Sequence, residues 1–337
     1  MTYLSSTTKA ENIDKMGRSI NYLRISVTDR CNLACRYCVP KDALPLLSHN
    51  KIARYEEILK ITEIAAGIGI TKVRITGGEP FVRKGIYKFI KNIYLINGIR
   101  DIAVTTNGVL LKKQIKQIET CGIKRLNISL DTLIPDKFKY ITGKDYFNDV
   151  WQGIMAANEI GITPIKLNCV VMKKINDDEI ADLASLSLKY PFHVRFIEYM
   201  PMGNSAVEMS QQMLIPEIKK RVELKLGKLL PVQRTKFDGP AKRYRLENGL
   251  GEIGFISPVS SHFCSQCNRL RLTSTGRLRP CLLHKEETDI LGPLRSGASD
   301  NELKEIIKKV IFNKPLSHNL ERHSSTRVNA QMSAIGG

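Results

Sequence analysis

The chain has 337 residues, 42% of them hydrophobic, and 52 Lys and Arg against 33 Asp and Glu give a formal charge of +19. That length suits two domains or one α/β barrel with an appendage, and the apolar content is ample for a large core. The basic residues are spread along the chain with no basic tail or block, so charge alone selects no partner.

Met1 to Arg18 is polar and carries no apolar secretory core, so the sequence predicts a frayed lead-in. No apolar run is long enough for a transmembrane helix. A cytoplasmic chain with neither membrane nor nucleic acid as partner is expected.

Strand-like runs at residues 23–28, 72–76, 101–105, 125–130, 164–171 and 193–198 alternate with helical patterns at 55–67, 86–95, 110–120, 147–160 and 177–189. This alternation predicts βα units and a parallel sheet. Six units fall short of the eight of a closed barrel, so an open, partial (βα)6 barrel of α/β class is expected. Its mouth, at the strand C-termini, is where loops and ligands of such folds gather.

The loop after the first strand holds Cys31, Cys35 and Cys38 at C-x3-C-x2-C spacing. Three thiolates from one loop can close around an iron–sulfur cluster whose usual complement is four cysteines, leaving one iron open for chemistry. After the second strand, Gly77-Gly78-Glu79-Pro80 offers backbone that a ligand can approach. The third and fourth strands end in Thr105-Thr106-Asn107-Gly108 and Asn127-Ile128-Ser129-Leu130-Asp131, short hydrogen-bonding side chains at the mouth. Lys166, in the fifth strand, either points into the barrel toward an anion or lies at a solvated edge.

Met200 leaves the sixth strand, and an amphipathic stretch covers 211–226. Short β-like pieces at 244–246 and 252–256 flank an Asn248-Gly249 turn, and one late helix is expected over 302–312. The expected division is a lead-in over 1–22, a core barrel over 23–230 and a C-terminal region over 231–337. Cys121 and Cys169 stand alone and suit small buried hydrophobes.

A second group, Cys264, Cys267 and Cys281, has Arg269 and Arg271 beside it. A structural zinc site completed by His262 or His284 and a second iron–sulfur cluster both fit these ligands.

The runs L-R-I-S-V-T-D-R-C-N-L-A-C-R-Y-C, R-I-T-G-G-E-P and I-S-P-V-S-S-H-F-C-S-Q-C-N-R-L-R-L-T-S-T-G-R-L-R-P-C resemble the GTP 3′,8-cyclase family of radical S-adenosylmethionine (SAM) enzymes. The resemblance extends from Leu23 to Gly336-Gly337, with Val39 where the family often has Met. It implies that Cys31, Cys35 and Cys38 hold a first [4Fe–4S] cluster, and that Tyr37, Gly78, Ser129 and Met200 contact SAM. It implies that Cys264, Cys267 and Cys281 hold a second [4Fe–4S] cluster whose open iron takes the guanine. Arg24, Arg74, Thr105, Lys166, Arg269, Leu270 and Arg271 would hold GTP, and the Gly336-Gly337 tail would enter the active site as part of the catalytic machinery.

The implied activity is a lyase reaction giving (8S)-3′,8-cyclo-7,8-dihydro-GTP, an early step of molybdenum cofactor (molybdopterin) biosynthesis. The implied partners are a low-potential electron donor and, downstream, cyclic pyranopterin monophosphate synthase, with the chain a monomer or homodimer. The competing readings are a radical SAM peptide-modifying enzyme with an auxiliary cluster and a zinc-bearing nucleic-acid-binding protein.

Overall fold

Strand alternation organises the molecule. In β5 (Lys166–Val171), Leu167, Cys169 and Val171 are buried against the helices, while Lys166, Asn168 and Val170 line an internal cavity. The same alternation sets the faces of β1 (Tyr22–Ser26), β2 (Lys72–Thr76), β3 (Asp101–Thr106), β4 (Leu126–Ser129) and β6 (His193–Glu198). The computed structural model describes residues 11–38, 46–200, 206–233, 239–318 and 332–336.

The helices are amphipathic. In α1 (Tyr55–Gly67) the buried residues Ile58, Ile61, Thr62 and Ala65 recur at helical spacing, and α2 (Ile86–Tyr94) buries Ile86, Phe89, Ile90 and Ile93. The layer continues with α3 (Ile115–Thr120), α4 (Pro135–Thr142), α5 (Phe147–Glu159), α6 (Ile180–Lys189) and α7 (Ile215–Leu226). Each large apolar side chain sealed between sheet and helices contributes about 1.5–3 kcal/mol.

The C-terminal strands join the same sheet. These are β7 (Leu230–Pro231), β8 (Lys242–Arg245), β9 (Glu252–Ile256), β10 (Arg269–Leu272), β11 (Arg277–Arg279) and β12 (Thr288–Asp289). The order is β12-β11-β10-β1-β2-β3-β4-β5-β6-β9-β8-β7. Because β10 runs parallel to β1 and β9 parallel to β6, each edge of the six-stranded barrel gains a parallel strand. The remaining helices are α8 (Leu291–Arg295), α9 (Asp300–Phe312) and α10 (Met332–Ile335).

Several expectations are corrected here. The lead-in is tied down within its described part: Asp14 and Arg18 are buried and ion-paired at 2.6 Å, and Arg18 donates to the carbonyls of Cys264, Lys314 and Pro315. The pattern over 110–120 is helical only from Ile115. The helix α4 was not anticipated; Pro135 starts it and Gly143, left-handed at φ 73°, stops it. The turn at Asn248 does join β8 antiparallel to β9, and α9 starts on a Ser299–Glu302 capping box. Cys121 and Cys169 are buried, as their sequence contexts suggest. Among the described residues no helix is long and apolar enough to cross a membrane.

The register fixes the levels that matter for function. Tyr22 opens β1 opposite Arg269 of β10, so Cys267 lies near the N-terminal end of β1 and Cys31 beyond its C-terminal end. At roughly 3.3 Å per residue, the strand rises about 13 Å between those ends. The antiparallel pairing of Arg271 with Arg279 returns Cys281 toward the level of Arg269.

A candidate active site between two cysteine trios

A single cavity of about 330 Å³ runs through the lumen, and all six cysteines of the two groups line it. The loop of the first trio is held by its neighbours' backbone. Gly78 N donates to Thr28 O and Glu79 N to Arg30 O, both at 2.8 Å. The two loops lie so close that a Cβ at Gly78 would stand 2.3 Å from Arg30 O. The glycine pair is therefore needed for loop-on-loop packing, a signal distinct from ligand contact.

Glu79, buried, accepts from Phe81 N, Thr106 Oγ1 and Asn107 N, joining the ends of β2 and β3. Burial pushes its carboxyl up to about 7. Asn107 reaches Cys31 Sγ at 3.6 Å, and Leu33 N donates to the same sulfur at 3.4 Å. Tyr37 donates its hydroxyl to Asp131 Oδ2 at 2.7 Å, and burial raises Asp131 to about 6. Burial, with the neighbouring Cys31 and Asp131, pushes the Cys38 thiol up to about 12. Three such thiols with an open fourth position fit a [4Fe–4S] cluster, whose iron charge would hold them as thiolates.

Below this loop the lumen is cationic. Arg24, Lys72, Arg74, Arg125, Lys166, Arg195, Arg269 and Arg271 all line the cavity. Burial, then Arg195, Arg125 and Arg74, bring Lys166 down to about 6, so its ammonium is disfavoured in this cluster. Several buried polar atoms here have no hydrogen-bond partner among the described residues: Tyr22 Oη, Arg74 Nε, Thr105 Oγ1 and Asn168 Oδ1. Unmet donors and acceptors among clustered positive charge fit a polar anion.

The second trio is assembled by remote groups. Buried Lys314 donates from Nζ to Arg269 O at 2.8 Å and to Pro280 O, so one ammonium ties the strand after Cys267 to the residue before Cys281. Glu198 accepts from Ile215 N, Val259 N and Ser260 N at 2.9 Å, pinning the loop that leads into Cys264. Burial raises the Cys267 thiol, but Arg269 and Lys314 outweigh it and bring it to about 6, favouring a thiolate. His262 packs edge-on to His318 with ring centroids 5.3 Å apart, while His284 Nδ1 lies 3.9 Å from Glu286 Oε2. Among the described residues no three His, Cys, Asp or Glu side chains are grouped as one metal ion requires.

The tail reaches the same place. Ser26 Oγ donates to Ser333 O at 3.2 Å, and Arg271 donates to Gly336 O. Gly336 has φ 72°, and a Cβ there would stand 2.5 Å from Thr76 Cγ2. Ile335 is buried in a small apolar cluster with Leu283, against which Met200 and Cys281 pack.

Of the residues predicted from sequence, Tyr37, Gly78, Ser129, Met200, Arg24, Arg74, Thr105, Lys166, Arg269 and Arg271 line the cavity. Leu270 does not; alternation along β10 buries its side chain in the main core. Gly337 lies outside the described residues. The basic residues, expected at the mouth, line the lumen below it: Lys166 and Arg269 open β5 and β10, and Arg24, Arg74 and Arg271 stand third in β1, β2 and β10. Sequence reasoning missed Tyr22, Lys72, Arg125, Arg195 and Lys314. For Tyr22 and Lys72 the signal was present, two residues before Arg24 and Arg74 and hence on the same strand face.

An α/β sheet with a three-cysteine loop after its first strand and a Gly-Gly-Glu-Pro turn after its second defines a radical SAM protein. The family profile described as Radical SAM superfamily matches residues 25–187, and that described as Molybdenum Cofactor Synthesis C matches 192–320. A radical SAM domain carries a [4Fe–4S] cluster and SAM.

Within that class the chain belongs to the GTP 3′,8-cyclase family. It is 51% identical over 325 residues to the GTP 3′,8-cyclase of Thermodesulfovibrio yellowstonii, covering 96% of this chain and 99% of that protein. It is 47% identical to those of Moorella thermoacetica and Heliobacterium modesticaldum, covering 96% of this chain and 99% and 100% of theirs. Among solved structures, Streptococcus suis SuiB bound to precursor peptide SuiA superposes with a TM-score of 0.60 at 16% identity. That match covers 90% of this chain and 66% of SuiB, and at such identity it speaks for the fold alone.

Proposed function

We propose that the chain converts GTP to (8S)-3′,8-cyclo-7,8-dihydro-GTP, with the nucleotide held in the lumen between two clusters. The observation that carries this reading is the placement of two cysteine trios toward opposite ends of one cavity whose wall between them is cationic.

Cys31, Cys35 and Cys38 would hold the first cluster, and Cys264, Cys267 and Cys281 the second. When bound, the first cluster with SAM would supply the radical chemistry that starts at the ribose, and the second would help hold the guanine.

The chain's own residues do the rest. Tyr37, Gly78, Ser129 and Met200 frame SAM beside the first trio; the Tyr37–Asp131 hydrogen bond fixes the ring. Arg24, Arg74, Arg269 and Arg271 fit the phosphates, since guanidinium forks match phosphate oxygens. Thr105 Oγ1, without a hydrogen-bond partner among the described residues, offers a neutral donor or acceptor. Lys166 gains its proton as an anion arrives beside it.

Gly336, held by Arg271 against Thr76, would narrow the space around the nucleotide from beside the lumen and shield it from water. A low-potential electron donor and the synthase that takes up the product, in the cytoplasm, complete the reading.

The test is anaerobic incubation of the iron- and sulfide-reconstituted protein with SAM, reductant and GTP. The expected result is 5′-deoxyadenosine formed in step with the cyclised nucleotide. Formation of 5′-deoxyadenosine that is indifferent to GTP would overturn the reading.

A further inference from the structure

Tyr22 is the first residue of β1, with only 5% of its surface exposed, and it lines the cavity. Its hydroxyl has no hydrogen-bond partner among the described residues. Buried hydroxyls are almost always satisfied, and phenylalanine would fill the same space without the unmet donor.

The surroundings say what the donor is for. Strand register places Lys72 on one side of Tyr22 and Arg269 on the other, and Arg24 follows two residues along the same strand. Lys72 Nζ lies 4.9 Å and the Arg74 guanidinium carbon 5.6 Å from the ring centroid. Burial raises the hydroxyl's pKa, but Arg74, Arg24 and Lys72 together carry it below the ordinary tyrosine value. A proton donor inside a nest of cations is matched by a phosphate oxygen, an anionic acceptor that the cations attract and the hydroxyl can orient.

We infer that Tyr22 is a further substrate ligand, donating its hydroxyl to a phosphate oxygen of the nucleotide's polyphosphate. This rests on the GTP reading above and adds to it a neutral, directional contact among point charges. Because the hydroxyl serves the phosphates, its loss should be felt by GTP and not by guanosine.

The experiment compares Tyr22→Phe with the unaltered protein, both cluster-replete and anaerobic, by calorimetric titration with GTP and with guanosine. Thermal unfolding without nucleotide is recorded in parallel. The expected result is roughly a tenfold loss of GTP affinity, unchanged guanosine affinity, and an unfolding midpoint equal to or above that of the unaltered protein. Unchanged GTP affinity, an equal loss toward guanosine, or a lowered midpoint would each overturn the inference. If the unaltered protein itself fails to bind GTP, the substrate reading falls and takes the inference with it, so the two failures are told apart.

Discussion

Replacing Gly78 by alanine tests whether the glycine pair serves packing of the first cysteine loop. The added Cβ would stand 2.3 Å from Arg30 O and 2.6 Å from Arg30 C, both backbone atoms that cannot rotate away. To reach even 3.0 Å, the two loops must part by about 0.7 Å. The hydrogen bonds Gly78 N to Thr28 O and Glu79 N to Arg30 O, now 2.8 Å, would then stretch to about 3.5 Å, past the useful range.

Two such bonds lost at about 1–2 kcal/mol each amount to about 2–4 kcal/mol against the cysteine loop's bound geometry. At about 1.4 kcal/mol per tenfold, SAM affinity should fall by at least roughly tenfold. First-cluster iron should be lost while GTP binding persists at the other end of the cavity. Iron analysis with equilibrium dialysis of SAM and GTP reads all three quantities. Full iron with unaltered SAM affinity in Gly78→Ala would refute the packing argument.

Lys166, brought down to about 6 by burial and the neighbouring guanidiniums, sits far below the ordinary lysine range. Between about pH 6 and that range the unfolded chain binds a proton that the folded chain does not, so stability without nucleotide should rise with pH there. GTP should restore the charge, taking up close to one proton at pH 8 and binding more weakly as pH rises; titrations in buffers of different ionisation enthalpy measure this. Proton release, or the same uptake in Lys166→Met, would contradict it. Lys314→Met removes the tie between Arg269 O and Pro280 O, so second-cluster iron should fall by half or more with SAM binding intact. An unaltered iron content and spectrum would count against that role. Glu198→Ala leaves the amides of Ile215, Val259 and Ser260 without their acceptor, at a cost of about 3 kcal/mol or more in denaturant unfolding; a change within error would show the loop to be held otherwise.

What the sequence made legible was local. The cysteine spacings, the Gly-Gly turn and the alternation of strands and helices lie within a few residues of one another, and β2, β6 and α1 fall at their predicted bounds. The β8–β9 hairpin was legible from its Asn248-Gly249 turn, with β9 at its predicted bounds; that the C-terminal strands join the barrel's own sheet was not, because parallel partners such as Tyr22 and Arg269 are distant in sequence and joined by no hairpin signal. Lys314 and Arg18 were overlooked for the same reason: each acts on the second trio through backbone carbonyls far along the chain. The side chain of Leu270 does not share the cavity wall with Arg269 and Arg271, because a strand turns alternate residues to opposite faces. The mouth was overweighted because ligands of parallel α/β folds usually bind at strand C-termini; here β10 brings the second trio to the other end of the lumen.

The central claim is that two independent cluster sites face one nucleotide. The direct measurement uses the variant Cys31→Ala, Cys35→Ala, Cys38→Ala, reconstituted, reduced and followed by electron paramagnetic resonance as GTP or SAM is added. About four irons per chain should remain, with a signal that shifts on addition of GTP and not of SAM. A variant that binds zinc without sulfide, or a cluster signal indifferent to GTP, would contradict the account.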